Sequence, residues 1–231
     1  MALMSNYYER NSESGMSLIK VTGVIVIISL ILSGVALLTS INNEYHLRQV
    51  AFNVNRMKYS ILSFKNIYGA LPGDISNASF HWKNLTKDGD GDGQIFHING
   101  EGLLVWQHLK LASLLELQDN LTPDWKEGFK TQAIIGYNVP SSHIKGAGYY
   151  VDFAEDFGGN FLGFGAESPN AVNNGPVLTP YEMMRLDIMI DDGLPNSGSI
   201  LAFAKADDEC FVTGEYKVST REKECSAIFK F

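Results

Sequence analysis

Cysteine occurs only twice in 231 residues, at Cys210 and Cys225, and basic residues are outnumbered: 18 Lys and Arg stand against 26 Asp and Glu, for a formal charge of -8. A surface that binds nucleic acid through phosphates is basic, so nucleic acid is not an expected partner. Catalytic signatures are missing as well. There is no Gly-x-Ser-x-Gly elbow, no His-Glu-x-x-His and no phosphate-cradling loop, and His46, His81, His97, His108 and His143 show no metal-ligand spacing. The chain is therefore not read as an enzyme, and a hydrolase built from residues distant in sequence is the weakest of the competing classes. A cleavable secretory signal is not matched either: the first fifteen residues carry Glu9, Arg10 and Glu13, and no Ala-x-Ala site follows Leu38.

What the chain does have is a long uncharged run. No charged residue occurs from Val21 to Asn43, and Val21 to Leu38 is apolar except for Thr22, Ser29 and Ser33 and the two glycines. Such a stretch is long enough to cross a hydrocarbon core, which needs roughly 20 helical residues. We place the membrane span at about 18–41. Beyond it, Leu47, Val50, Val54, Met57, Ile61, Phe64 and Tyr68 recur at alternating spacings of three and four, with Arg48, Arg56, Lys58 and Lys65 off that seam. Neither Gly nor Pro interrupts the run before Gly69. One helix over 16–68 is expected, apolar on all sides in its first part and amphipathic in its second. A signal-anchor helix followed by a coiled-coil stalk has the same periodicity.

The residues before this run, Gly15-Met16-Ser17-Leu18-Ile19-Lys20, close a short polar leader and open the apolar helix. That junction resembles the prepilin signal of type IV pilins and of the pseudopilins of type II secretion. The resemblance implies a leader over 1–15, cut after Gly15 by a prepilin peptidase that methylates the new terminus at Met16. It also implies an inner-membrane subunit whose partners are other pilin or pseudopilin subunits and an assembly platform. Tyr68-Gly-Ala-Leu-Pro-Gly-Asp-Ile-Ser-Asn-Ala78, Trp106-Gln-His-Leu109, Leu178-Thr-Pro180 and Ile190-Asp-Asp-Gly-Leu-Pro195 resemble segments of a subgroup of bacterial pilin-like proteins in the same order. One position departs from the family. Its usual glutamate at the fifth mature position is Lys20 here, and two like charges in low dielectric repel, so the customary pairing with a neighbour's terminal ammonium does not form. In the family this favours a minor or tip subunit, or an anchored adhesin or ligand-binding protein that does not polymerise.

The expected fold class is α+β, a long N-terminal helix packed on a small antiparallel-sheet head over 69–231. About 160 residues suffice for one core. In the head, Asp88-Gly-Asp-Gly-Asp-Gly-Gln-Ile95 reproduces part of a calcium loop: Asp88, Asp90 and Asp92 at alternate positions, Gly93 at the turn, Gln94 offering a carbonyl and Ile95 in the apolar eighth place. The twelfth position is Asn99 where a bidentate glutamate is usual, and Glu101 follows two residues late. The alternative is an acidic glycine loop that is simply solvated. A second acidic group, Asp187, Asp191 and Asp192, is read as turn-forming, with a metal as the other choice.

Helices are expected over Glu101–Leu117 and from Pro180 to about Ile190, the latter under a capping box, Thr179-Pro-Tyr-Glu182. Strands are expected at Tyr149–Phe153 and Phe161–Phe164 around an acidic turn, and at Ser199–Ala204. His108 is read as a packed core residue, and the aromatics near 149–164 as core in preference to a carbohydrate-binding surface. With the export signal, Cys210 and Cys225 are expected to form a disulfide, which would place the head in the periplasm or on an extracellular filament; two reduced thiols are the alternative.

Overall fold

A computed structural model describes residues 18–117, 121, 132–169, 172–204 and 209–231, with residues 36–40 described by their backbone alone. The leader over 1–15, with the cleavage residues Gly15 and Met16, lies outside the described residues. The fold is mixed α+β, with a long apolar N-terminal helix and a small antiparallel sheet. Two compact units are distinguished, residues 1–44 and 45–231.

Helix α1 spans Leu18–Tyr68. Within the first unit, the window Leu18–Val35 is long and apolar enough to cross a membrane, and none of it is buried. Thr22, Ser29 and Ser33 do not break it, because their hydroxyls donate back to the carbonyls of Ile19, Val26 and Ser29 one turn earlier. Lys20 is exposed.

The second unit begins inside α1. Leu47, Val50, Val54, Met57, Ile61 and Phe64 are buried in the head's core and Tyr68 packs against it, so the seam read from periodicity is the seam that is buried. The compact unit that holds them starts at Tyr45 and takes in this second part of α1 together with residues 69–231. The helix stops where Gly69 takes a left-handed φ of +76° and donates its N–H to the carbonyl of Lys65.

A turn through Leu71–Ile75 leads to the short helix α2 (Ala78–Trp82), a 3₁₀ turn (Lys83–Leu85), the acidic loop and helix α3 (Glu101–Leu111). Buried residues occur on every side of α3, with Trp106 and Leu109 fully enclosed. It ends six residues before the expected Leu117. Ser113 adopts a positive φ, and the chain beyond it turns its carbonyls to α1: the Ser60 hydroxyl donates to Leu114 at 2.9 Å and Arg56 Nη2 to Glu116 at 2.8 Å. Those tertiary bonds replace the ones that a longer helix would have made.

Strands β1 (Ala147–Ala154) and β2 (Gly159–Ala166) form an antiparallel hairpin around the 3₁₀ turn Glu155–Phe157. After helix α4 (Pro180–Ile190) come β3 (Ile200–Phe203), the small hairpin β4 (Phe211–Val212) and β5 (Glu215–Tyr216), and β6 (Ser226–Lys230). The main sheet has the order β1-β2-β6-β3 and is antiparallel throughout. In the hairpin, Tyr150 faces Gly163, and its ring occupies the space that a Cβ there would take. Tyr149 and Phe164 join the main core, whereas Tyr150, Phe161 and Ile228 form a second, smaller cluster. The expected capping box is present: Thr179 Oγ1 accepts from Glu182 N at 3.2 Å, and Glu182 Oε2 accepts from Thr179 N at 2.9 Å. Cys210 and Cys225 are disulfide-bonded, fully buried, with Cα atoms 5.1 Å apart.

Candidate functional site

The acidic loop is folded by its own carboxylates and by contacts from outside it. Asp88 accepts from both the backbone N–H (2.6 Å) and the hydroxyl (2.9 Å) of Ser79, which ties the loop's start to α2. Asp92 accepts from Gln94 N at 2.7 Å, and Asp90 accepts from Asp92 N at 3.1 Å, both local turns made by a short carboxylate. Ile95 is fully buried, and its N–H donates to Asn160 Oδ1 while Asn160 Nδ2 donates to Gly93 O. The loop is thus pinned to the hairpin at its far end. Asn99 Oδ1 accepts from Glu101 N at the start of α3.

Three carboxylates converge: Asp74, Asp90 and Glu101 each bring an oxygen within 4.8 Å of the others'. Of the residues singled out in the sequence, Asp90 and Glu101 are brought together, Asp88, Asp92 and Asn99 make the bonds just described, and Gln94 donates its N–H to Asp92. Asp74 was not among them. It sits in the turn after α1, and the acidic loop closes over it: Gly93 N donates to Asp74 Oδ2 at 3.2 Å, Gly91 N to the Asp74 carbonyl at 2.9 Å, and Gly89 N to the Ile75 carbonyl at 2.9 Å. The packing is tight enough that a Cβ on Gly89 would overlap the carbonyls of Gly73 and Asp74. Glu101 spans the loop from the other side, with Oε1 accepting from Asp90 N at 3.1 Å and Oε2 from Phe96 N at 3.2 Å.

Asp74 and Glu101 are 2% and 3% exposed, and the second Asp74 oxygen, Oδ1, is buried with no hydrogen-bond partner. Burial raises the pKa of both carboxyls; the Gly93 N–H opposes it at Asp74, those of Asp90 and Phe96 oppose it at Glu101, and the charges of Asp92 and Asp90 add to it at Asp74 and that of Asp90 at Glu101. Donors of this kind, carboxylate oxygens without imidazole or thiolate, suit a hard cation.

His108 lies beside this turn. Its Nδ1 accepts from Gly73 N at 2.8 Å, so the neutral ring carries its proton on Nε2, which meets Thr86 Oγ1 at 2.8 Å and Lys87 O at 3.2 Å. The ring lies near-parallel to those of Phe64 and Trp82, at centroid distances of 6.1 and 5.7 Å, and the three rings form one cluster. Burial lowers its pKa to about 4. The second acidic group consists of turn-forming bonds: Asp187 accepts from Tyr216 OH at 2.6 Å and Gly193 N at 3.0 Å, Asp191 from Ser199 N, and Asp192 from Leu194 N and Ser197 Oγ.

Comparison of the chain with protein-family models, curated proteins and solved structures finds no significant match. The architecture, an apolar N-terminal helix and a small antiparallel-sheet head, is compatible with a pilin-like fold.

Proposed function

We propose that this chain is a structural subunit, in a minor or tip position, of a type II secretion pseudopilus or a type IV pilus. Its prepilin leader is removed after Gly15, Met16 is methylated, and the mature chain waits in the bacterial inner membrane as a single-pass protein with its head in the periplasm. The observation that carries this reading is the wholly unburied apolar window Leu18–Val35 directly behind the Gly15–Lys20 junction. Apolar surface of that extent demands lipid or protein around it. The second half of α1 supports the same reading, because residues off its buried seam are also apolar and exposed: Phe52, Tyr59, Leu62 and Ile67. A neighbouring subunit's helix would cover them. The disulfide fits an oxidising compartment on the far side of that membrane.

Lys20 sets the position in the filament. An ammonium there cannot pair with a neighbour's terminal ammonium, but its stem lets it reach the headgroups. The subunit thus enters next to partners that do not demand the pairing, as a cap does. The same residue favours the second reading, an adhesin or ligand-binding head on an anchor that does not polymerise. Mass spectrometry of the mature terminus in native membranes tests the processing path: N-methyl-Met16 is expected, and an intact Met1 or a cut after Leu38 overturns it. Lys20→Glu separates the two readings. If native protein is already found in filaments it is a subunit; if only the variant enters them, the native chain is an anchor.

A further inference from the structure

The geometry points to a calcium site whose ligands are Asp74, Asp90 and Glu101, a set drawn from three segments of the head and different from the linear loop Asp88–Asn99. The inference is independent of the filament reading, since it concerns how the head is held together. Three observations carry it. The three carboxylates approach within 4.8 Å, although two of them are almost wholly buried. Asp74, a member of that cluster, has its Oδ1 buried without a hydrogen-bond partner, a state that costs free energy unless a donor or a positive charge meets it. The backbone donors around the cluster are already engaged: those of Gly93, Asp90 and Phe96 serve Asp74 Oδ2, Glu101 Oε1 and Glu101 Oε2, which orients the carboxylates without neutralising them.

The choice of calcium follows from the donors and their supports. The cluster offers oxygen only, which excludes a zinc preference. Magnesium demands a near-ideal octahedron, whereas calcium accepts six to eight oxygens in adaptable geometry and takes water for the remainder. Asp90 is the exposed member of the three and leaves that side of the site open to water. The cation would join the turn after α1, the acidic loop and the first residue of α3. Asp88 and Asp92 fall outside that convergence, with Ser79 and the Gln94 N–H as their partners, so they contribute charge to the neighbourhood and no ligand.

The test uses the full chain in mild detergent, stripped with EGTA, and then titrated with CaCl₂ or MgCl₂ while calorimetry reads binding and a thermal scan reads the unfolding midpoint. With a Kd of about 10⁻⁴ to 10⁻³ M, as in extracellular modules, 10 mM CaCl₂ should raise the midpoint by about 3 to 10 °C. MgCl₂ should raise it by less than half as much. Asp74→Asn retains an acceptor for Gly93 N and loses the charge; it should be at least as stable as the native chain in EGTA, and its calcium shift should vanish. Glu101→Gln should also abolish the shift, whereas Asp88→Asn and Asp92→Asn should leave Kd within about threefold. The proposal is overturned by no shift and no heat at 10 mM CaCl₂, by equal shifts in native and Asp74→Asn protein, by an equal magnesium effect, or by loss of binding in the Asp88 or Asp92 variant with Asp74→Asn unaffected. Should Asp74→Asn fail to fold, the Glu101→Gln titration decides by the same criteria.

Discussion

His108 makes the head sensitive to mild acid in a direction that can be worked out. In the unfolded chain an imidazole titrates near 6.5; in the fold, burial holds it neutral until about pH 4. Protonation would put a second N–H on Nδ1, directly facing the Gly73 N–H that now donates to it. Between these two values the unfolded state binds a proton that the folded state refuses, so the contribution is fully present above pH 6.5 and is lost as pH falls toward 4. From pH 7 to pH 5 the loss is about 2 kcal/mol. Asp74, Glu101, Asp152 and Asp187 act with the opposite sign, because burial raises their pKa values and the folded state takes up their protons first. A substitution isolates the imidazole from them. His108→Asn retains an acceptor near Gly73 N but has nothing to protonate. It loses ring stacking on Phe64 and Trp82, at a cost of about 1 to 3 kcal/mol that is independent of pH. Urea unfolding of both proteins in EGTA, followed by the fluorescence of the fully buried Trp106, gives stability at each pH. The gap between native and variant should narrow by about 2 kcal/mol from pH 7 to pH 5. Parallel curves over that range would refute a neutral, desolvated His108.

Reducing the protein, or replacing both cysteines by serine, should lower stability by about 3 kcal/mol, the chain-entropy value for a separation of 15 residues, as read by thermal unfolding with and without reductant. Thr179→Ala removes the acceptor for Glu182 N and should cost about 1 kcal/mol in urea unfolding, while Thr179→Ser should be near neutral. Two phenylalanines on α1 should behave oppositely: Phe64→Ala, at a fully buried position, should cost about 3 to 5 kcal/mol, and Phe52→Ala, 63% exposed, less than about 0.5 kcal/mol. In cells Phe52→Ala should nevertheless reduce recovery of the chain in sheared filaments, and unchanged recovery would remove that face from the assembly reading.

Where the fold was legible, the information was local. The seam from Leu47 to Phe64 is a helical period written in side chains, and the same residues are buried. The Thr179 capping box and the strand pair on either side of Glu155-Asp156 likewise need only neighbours in sequence to form. The end of α3 needed more. Leu114 and Leu115 continue its apolar pattern, yet Ser113 turns left-handed, Leu114 N closes back on the Leu109 carbonyl, and the carbonyl of Leu114 is taken by Ser60, 54 residues earlier. Gly69 punctuates the end of the helix, whereas the side chains that share the head's core begin earlier, at Leu47, on the amphipathic part of α1.

The acidic site shows the same division at finer scale. Alternating aspartates and glycines between 88 and 93 announce a turn that gathers oxygens, because short carboxylates bond N–H groups two residues on, and Asp90 and Asp92 do so here. Asp88 bonds Ser79, and of the three aspartates Asp90 is the one that comes together with Asp74 and Glu101. Glu101 looked displaced by two residues only against a ruler laid along one loop; in space it faces Asp90 across the loop and bonds its N–H. Asp74 was hidden differently. Among Leu71, Pro72, Gly73 and Ile75 it reads as a turn residue, and what makes it a candidate ligand is burial under the backbone of Gly89, Gly91 and Gly93. Its nearest chemical neighbours, Asp90 and Glu101, lie sixteen and more positions away, so the property that distinguishes it, an oxygen enclosed without a partner, is created by the packing of segments and is carried by none of them alone.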